Sequence, residues 1–518
     1  MISATRPPAL HLRAAAAPPL VRSPATRAAL RFGCSAAASN LKKSKPSGSA
    51  ALRRPVLLPP SPLRRKGKGN GNGRGGGAFP GGHGEEDERR MWALCGFGYW
   101  LQGFRCFPWL ALNFHLTHGL GLGPLALQLV QNTANLPMVA KPLYGMLSDA
   151  VYIGGAHRLP YISIGVFLQV LSWGTLGLMP ITRDMLPTQM VCILLGNLGA
   201  SFTEVVSDAL VAESSKEKKK SGFLQSCSFM ALAAGGIMGN LSGGFALVGT
   251  QQPKLMFLSF ALLLTAQLGV ALTTREEGLL AAPRRHGRVD LVRESVSESL
   301  GRQFSVLIRA ISNESLLQPL SWIVASIAVV PLLSGTIFCF QTQSLKLDPV
   351  VIGLSKVMGQ MMVLSASFVY NRHLKEIPFR KLIFWVQIVY AISLLSDLVL
   401  VQQVNLKMGI SNEAYVLCLS AIAEAVAQFR ILPFSVLLAG LCPRGCEGSL
   451  FAFFASALCM SSIVSGVFGV GLATLVGVGG AGDSAGLSVG IALQFMAALV
   501  PLRWISLLPV GAKLPTRS

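Results

Sequence analysis

The sequence predicts an all-α integral membrane protein of twelve transmembrane helices, arranged as two pseudo-symmetric halves of six. Three observations predict it. Apolar residues make up 51% of the 518 and charged residues only 13%, where a soluble globular domain carries roughly a quarter charged. Apolar windows long enough to cross a hydrocarbon layer of about 30 Å recur from Met91 onward. Lys and Arg fall mostly in alternate connections between those windows, the asymmetry of a chain that crosses a membrane many times.

The formal net charge is +22, but residues 1–84 hold 15 Lys and Arg and no carboxylate, which leaves +7 for the rest. This distribution argues against a nucleic-acid partner. A long leader rich in Ala, Arg, Ser and Pro, with no apolar secretory core, predicts an organellar transit peptide. Its Pro-rich, Ser-bearing character and the lack of an amphipathic Arg helix point to the plastid. The run GKGNGNGRGGG, residues 67–77, predicts a flexible tether. Residues 1–84 are therefore expected to be transit peptide and disordered linker.

The expected spans are 91–114, 124–147, 159–180, 187–212, 222–246, 254–273, 317–340, 349–370, 380–401, 413–440, 448–476 and 484–509, numbered 1 to 12. A soluble helical core does not contain a dozen such runs in succession. The connections after spans 2, 4, 6, 8 and 10 carry 17 Lys and Arg and the opposite connections four. That asymmetry places both termini on the positive-inside face, the stroma in a plastid. The longest interior connection, residues 274–316, is expected on that face, between a half at 91–273 and a half at 317–509. An internal echo supports duplication, because the exits of spans 4 and 10 both run from a small-residue helix end through a basic turn to a Ser-bearing helix start. Repeats of this kind place a substrate site at the midplane between them.

Lys141 to Tyr161, KPLYGMLSDAVYIGGAHRLPY, carries charge, Gly and Pro at fixed offsets between two apolar runs and reads as a hinge between spans 2 and 3. Gly145, Leu147 and Asp149 follow at spacing two, and Arg158 opens the next span. This Gly-x-Leu-x-Asp run, ending in a basic residue, resembles the signature between helices two and three of major facilitator transporters. The wording Lys-Pro-Leu-Tyr-Gly-x-Leu-Ser-Asp is similar to the folate-biopterin transporter family within that superfamily, over roughly Met91 to Leu508. One departure stands at His157, Arg158 and Leu159, where the family often has several basic residues before Pro160 and Tyr161. The resemblance implies a secondary transporter of folates or pterins in the plastid envelope, working by alternating access and coupled to protons. It also implies a gating motif at Gly145, Asp149 and Arg158, with Asp149 and Arg158 latching the stromal side of the two halves.

Ionisable groups inside a bilayer cost about 2.5–3.5 kcal/mol each on the insertion scale, so each one kept there marks a functional site or a helix-tying ion pair. They are Arg105, Lys141, Glu204, Asp208, Lys356, Asp397, Glu424 and Arg430. The candidates for the substrate and proton pathway are Glu204, Asp208, Lys141, Arg430 and Glu424, joined by Asn132 and Asn135. Glu204 and Asp208, four apart, share a helix face about 6 Å apart and suit the binding and release of a proton. Gln128, Gln131, Asn132 and Asn135 form a polar stripe on span 2 that either lines a cavity or bonds a neighbouring helix. Glu424 has Gln428 one turn on, Arg430 lies on another face, and Pro433 can open the helix locally. Gly235, Gly239 and Gly243 in span 5, with Gly466 and Gly471 in span 11, are close-packing faces that by the resemblance meet the opposite half.

His115 and His118 are neighbours, but no nearby Cys or carboxylate completes a metal site. Cys442 and Cys446 flank a loop without a second Cys pair and read as free thiols. No phosphate-cradling Gly-x-x-x-x-Gly-Lys-Ser/Thr run is present, which argues against an ATP-driven pump. The expectation is therefore a non-enzymatic transporter with no cofactor and no metal, whose partners are a small molecule and the lipid bilayer. Transport of another organic anion or small metabolite, or a non-transporting receptor or scaffold, is the alternative.

Overall fold

In hydrocarbon each backbone N–H and C=O must find its partner within the protein, which leaves helix as the favoured form for an apolar run. The computed structural model describes residues 82–151, 158–179, 185–217, 221–274, 311–441, 447–478 and 484–509, with a few isolated positions between them. Most of the expected leader, the basic stretch 275–300, His157, and the loop holding Cys442, Arg444 and Cys446 lie outside the described residues. Among the described residues nine helices are long and apolar enough to cross a membrane. They are Leu159–Leu178, Leu186–Ala212, Cys227–Thr250, Pro253–Thr273, Pro349–Tyr370, Phe379–Val401, Asn412–Leu438, Ser449–Leu475 and Ser484–Leu507, and they coincide with spans 3 to 6 and 8 to 12.

Spans 1, 2 and 7 are helical but interrupted. Span 1 begins early, at Gly82, turns at Arg105, and continues as Cys106–Phe114 into a wider turn at His115–Gly119. Span 2 is built from Pro124–Ala134, Leu136–Val139 and Lys141–Ala150, with Pro137 and Pro142 just inside the second and third pieces. A proline there has no N–H to place and tolerates a helix start. Span 7, read from sequence as one run, ends its first helix at Ala328 and resumes at Ser334. Pro331 lies in the gap, and it biases the residue before it away from helix. Span 10 likewise breaks at Arg430 and Ile431, just before Pro433.

Small residues decide how closely the helices approach. Gly235, Gly239 and Gly243 do not meet the opposite half as expected. They lie against Trp100, Phe104, Phe107 and Leu110 of span 1, in the same half, where a Cβ at Gly235 would overlap the Trp100 carbonyl. The contact between halves uses the neighbouring helix face. Gly236 meets Gln360, and Gly244 meets Pro349 and Val350, all of span 8. The reason is register: a helix advances 100° per residue, so stripes one residue apart look in different directions. Gly466 of span 11 meets Asn132 of span 2 as expected, whereas Gly471, expected on the same close-packing face, has nothing within 4 Å of its Cβ position.

Aromatic packing fills spans 1 to 6, with Trp173 against Phe257 and Phe260 and Phe104 against Phe107. Spans 7 to 12 have their own centre in Trp322 stacked on Phe434, and the Trp322 indole donates to the Pro501 carbonyl at 3.2 Å. The two sets also meet where span 1 ends, against the end of span 7 and the start of span 8. Phe114 packs edge-on against Phe338, and Cys339, Leu347, Ile352 and Tyr415 join the core of spans 1 to 6.

Overpacking a close helix contact costs about 1–3 kcal/mol. Gly235→Val is expected to lower the thermal midpoint and the monodisperse yield in detergent. Gly471→Ala, where a Cβ would meet nothing within 4 Å, is expected to leave both unchanged.

Candidate site between the two sets of six spans

Span 2 brings Lys141 to Glu204 of span 4, with Nζ donating to Oε1 at 2.7 Å. The Lys141 side chain is 10% exposed and Glu204 35%. Glu204 and Asp208 sit on one helix but have separate partners, since the Tyr99 hydroxyl of span 1 donates to Asp208 Oδ1 at 2.5 Å. Arg105 donates to Asn197 Oδ1 at 2.7 Å, and Asn197 in turn donates to the Ala134 carbonyl at the first break of span 2. Ser456 and Cys459 of span 11 donate to the carbonyls of Val139 and Asn135, so the Lys141 end of span 2 borders the opposite set.

A second Lys–Glu pair joins span 8 to span 10. Lys356 Nζ donates to Glu424 Oε2 at 2.6 Å, and Gln428 Nε2 donates to Glu424 Oε1 at 3.2 Å. These side chains are open, Lys356 at 48% and Glu424 at 38%. The direction of the opening follows from the neighbours on the same helix face. Three residues before Lys356, a Cβ at Gly353 would sit 2.6 Å from the Asn240 carbonyl of span 5. Four residues after it, Gln360 Oε1 lies 2.7 Å from the Cβ position of Gly236, also in span 5. Lys356 therefore lies on the helix face that packs against the other set of spans. In a chain of two six-span sets, spans 8 and 10 correspond to spans 2 and 4, so each set carries one Lys–Glu pair on the same two helices.

The remaining predicted residues are placed as follows. Asp149 and Arg158 meet at 2.5 Å, and Arg158 Nη1 also donates to Ser148 Oγ at 2.6 Å. That pair closes the turn between spans 2 and 3, within one set of six. Gly145 lets span 2 approach Val205 of span 4, whose Cγ1 lies 3.2 Å from its Cβ position. Arg430 is buried with its guanidinium carbon 4.0 Å from the centre of the Tyr390 ring, a cation–π contact away from Glu424. Of the polar stripe of span 2, Gln128 and Gln131 bond other spans, while Asn132 and Asn135 bond within span 2. Gln128 Oε1 accepts from the Gly335 N–H at 2.5 Å, at the restart of span 7. Asn132 packs on Gly466 and accepts from Gln128, while Asn135 donates to the Gln131 carbonyl. Among the described residues no group of three His, Cys, Asp or Glu could hold a metal ion, and His115 instead pairs with Gln189 at 3.3 Å.

Sequence reading missed Tyr99 and Asn197, which are uncharged, and left Lys356 without a partner. The signal available was the need of Arg105 and Asp208 for a bond in hydrocarbon.

The BT1 family model matches residues 102–516. Two Arabidopsis thaliana proteins, named probable folate-biopterin transporters 8 and 9, chloroplastic, are 55% and 54% identical to this chain over 418 and 430 residues. These matches cover 81% and 82% of this chain and 76% and 78% of the relatives. The Synechocystis folate-biopterin transporter is 27% identical over 416 residues, 80% of each chain. Among solved structures, the D-xylose-proton symporter superposes with a TM-score of 0.59 at 14% identity, over 82% of this chain and 99% of that one. The nucleoside transporter NupG superposes at 0.55 with 11% identity, over 81% and 98%. These two likenesses establish the fold as that of the major facilitator transporters. With the family model spanning most of the chain and close relatives above half identity, the chain belongs to the BT1 family.

Proposed function

We propose that this chain is a secondary active transporter that moves folates or pterins across the plastid envelope by alternating access of two six-span halves, residues 91–273 and 317–509, coupled to protons. Residues 1–84 act as the transit peptide, and the connection 274–316 lies in the stroma. The observation that carries the reading is the Lys–Glu pair on each half, bordering the space between them. A pteridine ring presents a donor–acceptor edge that a carboxylate can pair with, and the glutamate tail of a folate presents carboxylates that an ammonium can hold. The relatives' names, transporters of folate and biopterin and, for two of them, chloroplastic, support the substrate class and the compartment. Uptake of labelled folates, pterins and unrelated organic anions by liposomes containing the full chain tests it. Saturable uptake of a folate or a pterin is expected, and uptake confined to the unrelated anions overturns the substrate assignment.

Proton coupling is assigned to Asp208. Glu204 is bonded to an ammonium and Asp208 to a neutral phenol, so Asp208 can exchange a proton without breaking an ion pair. Asp208→Asn keeps the size and the bond to Tyr99. It is expected to abolish pH-driven accumulation while sparing substrate counterflow, which moves no net proton. Loss of both activities points to a substrate contact, and retention of accumulation removes Asp208 from coupling.

Gating is assigned to the turn between spans 2 and 3. The Asp149–Arg158 bond fixes the stromal end of span 2, and span 2 packs along span 11 of the other half. Asp149→Asn loses the charge-assisted bond, worth roughly 1.5–3 kcal/mol. Transport is expected to fall roughly ten- to a hundredfold with membrane insertion intact, and an unimpaired rate reduces the motif to packing. Lys141, Glu424, Arg430, Asn132 and Asn135 complete the proposed pathway lining.

A further inference from the structure

We propose that Lys356 is a specificity-determining residue: it holds the acidic tail of the substrate and so distinguishes folates, which carry a glutamate, from pterins, which do not. The proposal rests on the transporter reading above and goes beyond it by assigning the tail to one side chain. An ammonium has three donors, and the described bond of Lys356 goes to Glu424 at 2.6 Å. Glu424 is held from its other oxygen by Gln428. A second carboxylate can therefore share Lys356 while Glu424 stays anchored.

Reach separates Lys356 from the other cations of the spans. The Lys141 side chain is only 10% exposed, and Arg430 is 5% exposed against the Tyr390 ring. Arg105 is engaged with Asn197 of its own half. Lys356 is 48% exposed, and the contacts of Gly353 and Gln360 with span 5 place its helix face toward the other half and not toward lipid.

Charge sets the strength of the subsite. Glu424 and, at longer range, Asp397 of span 9 both act on Lys356, and Cys106 of span 1 lies near it. The entering carboxylate shares the ammonium with Glu424, which keeps binding weak. Weak binding suits a carrier, because a site must be favourable enough to enter and loose enough to leave.

The test compares a folate with biopterin in liposomes holding the full chain, scored as the ratio of their kcat/KM values. Lys356→Gln is expected to lower that ratio at least tenfold, and Lys356→Arg to restore most of it. Removing one partner of an ion pair can unfold a membrane protein by leaving an orphan charge. The double variant Lys356→Gln with Glu424→Gln leaves none and is expected to lose the same discrimination. An equal loss for both substrates in a monodisperse variant makes Lys356 structural and overturns the subsite alone, as does an unchanged ratio. A wild-type chain that carries neither compound overturns the transporter reading, and the subsite falls with it.

Discussion

A charge or backbone dipole within hydrocarbon must be bonded inside the protein, because no water is at hand to receive it. The arrangement of this molecule follows from that constraint. Lys141 and Glu204 meet, Lys356 and Glu424 meet, and Asp208 takes the hydroxyl of Tyr99. Arg105 finds the amide of Asn197, and Arg430 lies over the Tyr390 ring. Each of these contacts joins two different spans. The polar residues that are costly to insert thus also determine which helices stand side by side.

The same constraint governs the helix breaks. At Pro331 span 7 loses its internal ladder, and the freed groups are taken up by neighbours. Leu332 N–H donates to the Ser465 carbonyl, Ser465 Oγ donates to Val330, and Gln128 receives the N–H of Gly335. Span 2 and span 11 therefore hold the broken part of span 7 from two sides. Glycine permits it: a Cβ at Gly469 would overlap Leu332, and one at Gly335 would press on the backbone of Gln128. Breaks, glycines and buried amides form one structural unit here, in which each element requires the other two.

The two Lys–Glu pairs occupy corresponding helices in the two sets of six but differ in exposure. The Lys141 side chain is nearly closed off, whereas Lys356 is half open. The same pair of residue types on corresponding helices thus has a sheltered cation in one set and an open one in the other. That inequality follows from what packs on each lysine and not from the pair chemistry.

Much of the fold was legible in the sequence. Hydropathy is a property of each residue with its immediate neighbours, so the positions of the spans, the alternation of basic connections and the set of intramembrane charges could all be read directly. The wording around Lys141 to Tyr161 carried the family. Local pattern could also flag Pro433 as a break in span 10, though Pro331 within an apolar run passed unnoticed. The pairings were not legible, because they depend on how each helix is rotated about its axis and how far it slides along its neighbour. A rotation of 100° moved the inter-half contact of span 5 from Gly235 to Gly236, and the same freedom gave Glu204 and Asp208 different partners despite their shared face. Sequence determined which groups needed partners in the bilayer. Only the tertiary structure, by fixing rotation and register through close packing, decided which partner each one received.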